Sequence, residues 1–194
     1  MRGSTSLVLV ILLVLVAGCS SGDGASPGLS EAPYSVASTP VMPSASVSPS
    51  VDEVQLRMQE AERVLRRVYE LEDYPLVSGD FSQYPPELEE LLMGDYLTAS
   101  KASFETAKQA GWRGSPDTVA QVSVIPKPGL FYQDSTAALL VCLDTRDAPV
   151  LDSSGAVVSE GGIWTSVHFF KPDQGKLKIF TARDDQEVPR CPTE

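Results

Sequence analysis

Beyond residue 52 the apolar positions first recur with a helical period and later alternate. Val54, Met58, Ala61, Leu65 and Val68 follow one another at spacings of four, three, four and three, which places them on one face of a helix. Asp52 and Glu53 precede them, where acidic side chains suit the positive end of the helix dipole. The pattern predicts a helix over residues 52 to 71, ending before Tyr74-Pro75 because proline restricts its predecessor. Arg63, Arg66 and Arg67 share the other faces with Glu60, Glu62 and Glu70 and read as a solvated surface. Tyr84-Pro85-Pro86 opens a short helix carrying Leu88, Leu91 and Leu92. A longer helix is predicted over residues 95 to 110, with Leu97, Ser100, Phe104 and Ala107 on one face and Gly111 as its left-handed cap.

After Gly111 the period changes to two. Residues 118 to 125 read as a strand rich in β-branched side chains, stopped by Pro126 and Pro128. Residues 137 to 144 are nearly all apolar, as in a central strand covered on both faces. Residues 163 to 170 and 177 to 183 supply two more strands, joined by the turn chemistry of Pro172-Asp173-Gln174-Gly175. Asp152-Ser153-Ser154-Gly155 predicts a small hairpin between Val150 and Val158. Helices first and strands afterwards indicate an α+β domain.

The chain ahead of this domain has a different character. Arg2 precedes an unbroken apolar run over residues 7 to 17, roughly 16 Å long as a helix. A bilayer core is about 30 Å thick, so the run has the length of a signal-peptide core instead of a membrane span. Val16-Ala17-Gly18-Cys19 follows directly. This segment resembles the lipobox of bacterial lipoproteins, with valine in place of the commoner leucine. The resemblance implies cleavage after Gly18 and a diacylglyceryl group on Cys19; an ordinary secretory signal and a core helix are the alternatives. Of the 32 residues from 20 to 51, 22 are Ser, Pro, Ala or Gly and only Asp23 and Glu31 are charged, so the segment buries too little to order itself. It reads as a spacer or a tolerated tail, whose serines and Thr39 are candidate sites for O-linked sugars. The expected organisation is a signal segment over 1–18, a lipidated tether over 19–51 and the domain over 52–194.

Charge and composition remove several functions. The 194 residues carry 15 basic and 26 acidic side chains, a formal net charge of -11, which opposes nucleic-acid binding. His168 is the one histidine, so metal sites needing two imidazoles are excluded. The chain has no asparagine, which excludes N-linked glycosylation. No phosphate-binding loop, nucleophile elbow or cofactor motif is present, and no cofactor is expected. With Cys19 lipidated, Cys142 and Cys191 remain for an oxidising compartment, where a bond between them would pin the C-terminal tail to the second strand. The alternative is one buried and one reactive thiol. In that case Cys142 and His168 are a conceivable thiolate–imidazole pair. Asp144, Asp147, Asp152 and Glu160 crowd one connection and read as solvated loop acids more readily than as calcium ligands.

The order of elements, together with Ala-Gly-Trp at 110 to 112, Val-Cys-Leu-Asp at 141 to 144, the Asp-x-x-Gly turn and a late cysteine, is similar to a set of actinobacterial lipoproteins. Their domain has the cystatin-like fold of nuclear transport factor 2 and its relatives. The resemblance implies a long N-terminal helix packed on a curved, mainly antiparallel four-stranded sheet that wraps on it around a conical pocket, but no single activity, since the fold hosts isomerases, dehydratases, cyclases and binding modules. Pocket enzymes of this fold project a base and a hydroxyl into the cone, which makes His168, Asp144, Tyr69 and Tyr96 the candidates. The Tyr and Asp constellation of the ketosteroid isomerases has no match here. The expected function is a membrane-anchored extracytoplasmic domain that binds a small apolar ligand or an envelope protein. The alternative is a small isomerase- or dehydratase-like enzyme with His168 or Asp144 as general base.

Overall fold

The computed structural model describes residues 50–115 and 120–193. Three helices come first: α1 (Val51–Ser78), α2 (Pro86–Leu91) and α3 (Gly94–Ala110). The strands follow as β1 (Arg113–Gly114), β2 (Gln121–Pro126), β3 (Ala137–Asp144), β4 (Val150–Leu151), β5 (Val157–Ser159), β6 (Ile163–Asp173) and β7 (Lys176–Glu187). The domain is therefore α+β, with its helices and strands segregated along the chain. The expected signal segment, Cys19 and the tether up to residue 49 lie outside the described residues, as do Thr118 and Val119 of the expected first long strand.

α1 starts on a capping box. Ser50 Oγ accepts from the Glu53 amide at 3.2 Å while the Glu53 carboxylate accepts from the Ser50 amide at 2.8 Å, satisfying two donors that a helix start otherwise leaves free. The last two residues assigned to the tether thus belong to the helix. Its other end departs further from expectation, for α1 passes through Pro75 and closes on Gly79 in the left-handed region, φ 71°. Pro75 removes the amide that would bond the Leu71 carbonyl. Pro75 is nevertheless buried, and Leu76 and Val77 lie against Gly114, so packing of the final turn offsets the lost bond.

Four strands form one antiparallel sheet in the order β2-β3-β6-β7. β1, β4 and β5 make a second, smaller sheet. The β4–β5 hairpin turns where expected, with Asp152 Oδ1 accepting from the Ser154 and Ala156 amides. Its addition to β1 was not legible, because two-residue strands carry no period. The β6–β7 hairpin also turns as expected, but both strands run beyond the predicted ends.

Ala61, Leu65 and Val68 of α1 are sealed against Ala137, Leu139, Val141, Phe170 and Ile179 on one face of the large sheet. β7 bulges twice, between Thr165/Val167 and between Phe169/Phe170 of its partner, which bends the strand and increases its twist. Its outer edge is partly covered, since Leu92 bridges Ile179 and the Met93 amide donates to the Ile179 carbonyl at 2.9 Å. Gly94, at φ 57°, follows at once, and a Cβ there would stand 3.3 Å from the Phe180 carbonyl oxygen.

On the opposite face Cys142 and Cys191 are joined by a disulfide, with Cα atoms 5.6 Å apart. Cys142 stands opposite Thr165, whereas His168 stands opposite Leu139, so the two project from different faces of the sheet. The thiolate–imidazole pairing is thereby excluded.

Leu65, with none of its surface exposed, is expected to cost about 2–5 kcal/mol on truncation to alanine, measured by urea unfolding. Removing both disulfide cysteines, 49 residues apart, is expected to cost about 4 kcal/mol on the chain-entropy estimate. An unchanged unfolding midpoint in the double Cys→Ala variant would show that the bond adds nothing.

Candidate functional site

Where α1 runs past the end of the large sheet, its last turns, the connection to α2 and the inner face of α3 enclose a cavity of about 210 Å³. Tyr69, Glu72 and Pro75 reach it from α1 at spacings of three, which keeps them on one helical face. Tyr96, Ser100, Phe104 and Ala107 reach it from α3 by the same rule, with Ala99 and Ser103 beside them. The small side chains of α3 leave the space, and the aromatic ones wall it. Phe104 packs against Phe81 at 5.3 Å and edge-on against Tyr84 at 5.4 Å between ring centroids. Trp112, Leu143 and Val150 complete the wall on the sheet side.

One polar chain crosses this apolar surface. The Tyr84 hydroxyl donates to Ser100 Oγ at 3.0 Å, and Ser100 Oγ donates to Glu72 Oε1 at 2.6 Å. Burial pushes the Glu72 carboxyl up to about 7, against the Ser100 bond, which favours the charged form; neighbouring Asp73 adds to the rise. Burial also raises the Asp73 carboxyl and the hydroxyls of Tyr69, Tyr84 and Tyr96. The site thus holds a carboxyl that changes charge near neutrality, set among hydroxyls that stay protonated.

Of the residues expected to do chemistry, Tyr69 and Tyr96 line this cavity and His168 and Asp144 do not. His168 is in the core between sheet and helices, 2% exposed, with its ring centroid 5.4 Å from that of Tyr96 and 6.2 Å from that of Tyr69. Its Nε2 lies 2.9 Å from Ser166 Oγ, which also bonds Asp185, and its Nδ1 has no partner. Burial lowers its pKa to about 3, so near neutrality it is an uncharged core residue. Asp144 forms an ion pair with Arg146 at 2.7 Å that holds its carboxyl below the usual range, a poor setting for a base. Asp152 closes its own turn, and among the described residues no acidic cluster is arranged to hold a metal.

Glu72 was missed although the sequence marks it. The stripe 54, 58, 61, 65, 68 continues at 72 and 75 with the same four-three rhythm, so a glutamate occupies a core-facing position. Ending the helix ahead of the proline removed that position from consideration.

Glu72 and His168 are expected to act on stability in opposite senses. The folded Glu72 pKa, about 7, lies above its ordinary 4.5. Its contribution is therefore complete below about pH 4.5 and falls away as pH rises to 7. The folded His168 pKa, about 3, lies below its ordinary 6.5, so stability is lost as pH falls from 6.5 towards 3. Urea midpoints recorded from pH 4 to 8 should show Glu72→Gln gaining on the parent chain between pH 4.5 and 7. Parallel curves would mean that Glu72 titrates as an ordinary surface carboxyl.

No protein-family model matches the chain, and no curated protein is significantly similar to it.

Proposed function

We propose that the protein is a lipid-anchored extracytoplasmic binding module. Cys19 carries the diacylglyceryl anchor, the segment to residue 49 spaces the domain from the membrane, and the cavity between α1 and α3 takes a small ligand. The cavity carries this reading: a largely apolar hollow with a few convergent polar groups is the usual form of a small-molecule site. The anchor rests on Val16-Ala17-Gly18-Cys19 placed directly after an apolar run. Two acyl chains give the stable attachment that one does not. The twice-bulged β7 in a sheet packed on α1 supports the likeness to a cystatin-like cone.

One observation favours a second reading. A glutamate raised towards neutrality in an apolar pocket is a usable general acid or base. An isomerase- or dehydratase-like reaction would then run on Glu72, with Tyr84 and Ser100 behind it, instead of on His168 or Asp144.

Cys19→Ala is expected to abolish the acyl mass and to move the protein out of the membrane fraction. Retention in the membrane with no acyl mass would refute the anchor. Native mass spectrometry of protein exposed to an envelope extract should show a small adduct that Ser103→Phe, which fills the cavity, loses. A retained protein partner with no small adduct would transfer the binding role to the surface of the domain.

A further inference from the structure

Resting on the reading of the α1–α3 cavity as a ligand site, we propose that its ligand is a small organic cation. Such a ligand is an ammonium group on an apolar body, with its charge set against Glu72 and its body among the aromatic rings.

The first argument is the balance of charge. Two carboxyls, Glu72 and Asp73, line the cavity, and among the described residues no lysine, arginine or histidine does. A nearby ammonium, Lys101, lies 5.6 Å from the centroid of the Tyr84 ring but is already paired with Glu89 at 2.6 Å. An anionic ligand would meet two acids and no cation. A wholly apolar ligand would take water from Glu72 and return nothing, since a desolvated carboxylate needs a partner.

The second argument is the wall. Six of the lining residues are aromatic, and aromatic faces carry the negative end of a quadrupole that attracts cations, most strongly where water is excluded. The third is the geometry of the carboxyl. Ser100 occupies Glu72 Oε1, and Oε2 accepts no hydrogen bond among the described residues and is not fully buried. An N–H donor in the cavity has an acceptor waiting.

Size narrows the class. A dry cavity of about 150 Å³ holds benzene, and this one measures about 210 Å³. In proportion it has room for a ligand of about eight non-hydrogen atoms. The groups facing Glu72 respond to the ligand in one sense only. Asp73 and Tyr69 on α1, Tyr84 on the connection and Tyr96 on α3 are all displaced towards their protonated forms. Asp185 on β7 acts on Tyr69 and Tyr96 in the same direction. An incoming cation reverses the bias at Glu72 and expels its proton.

Isothermal titration of the purified full chain with benzylammonium, benzyl alcohol and benzoate tests the proposal, because the three differ in charge and little in shape. Benzylammonium is expected to bind at least about tenfold more tightly than benzyl alcohol, and benzoate not to bind measurably. Repeating the amine titration at pH 7 in buffers of different ionisation enthalpy should reveal release of about half a proton. Glu72→Gln should bring amine and alcohol to within about threefold of each other. The proton count on the unaltered chain decides the matter if that variant does not fold. Equal binding of amine and alcohol by the parent chain, with no proton released, would overturn the cationic ligand and leave the cavity as a neutral binding site. Failure of all three probes to bind would overturn both readings.

Discussion

The contact between one stripe of α1 and one face of the β3–β6–β7 sheet sets the position of nearly everything else. Ala61, Leu65 and Val68 have no surface left exposed, and neither do Ala137, Leu139, Phe170 and Ile179 opposite them. A helix locked along about two turns in this way has no freedom to rotate about its axis. The residues that follow on the same stripe must therefore keep facing inward after the sheet has ended. Glu72 and Pro75 are those residues, and α3 closes over them. The cavity is the continuation of the core beyond that stripe, where Leu143 of β3 and Val150 of β4 wall the space without filling it.

The same constraint explains why two ionisable groups a short distance apart have different prospects. His168 is fixed on β6 against Tyr69 and Tyr96 and is almost wholly buried, which removes the bulk solvation its charged form would need. Glu72 lines the cavity together with the same tyrosines, and one of its oxygens accepts from Ser100. Burial drives both towards neutrality. Of the two, only the carboxyl lines the cavity, and only it is placed to change charge near neutrality.

How much of this was legible follows from which signals repeat. The stripe from Val54 to Val68, the nearly unbroken apolar run from Ala137, and the Asp173-Gln174-Gly175 turn each carry a period or a conformational demand that neighbours cannot hide. The elements they predict are present. The paired cysteines were read by counting, and they are bonded. The passage of α1 through Pro75 was not legible, because a local preference against helix was overridden by burial of the ring and packing of the last turn on Gly114. The site residues were lost with that turn. The bulges of β7 and the β1 addition to the small sheet depend on pairing partners distant in sequence, which alternation along a single strand does not encode.

The disulfide has an implication for the order of events during synthesis. Cys191 lies after every strand of the described residues, while its partner is near the end of β3. The bond spans all of β4 to β7, so it cannot form until those strands have been made. Until Cys191 has been made, pairing of β3 with β6 and of β6 with β7 has only the hairpin turn and the buried face to guide its register. The covalent link then acts as a latch on a finished sheet, and a chain halted before its last turns would lack it and remain marked as incomplete.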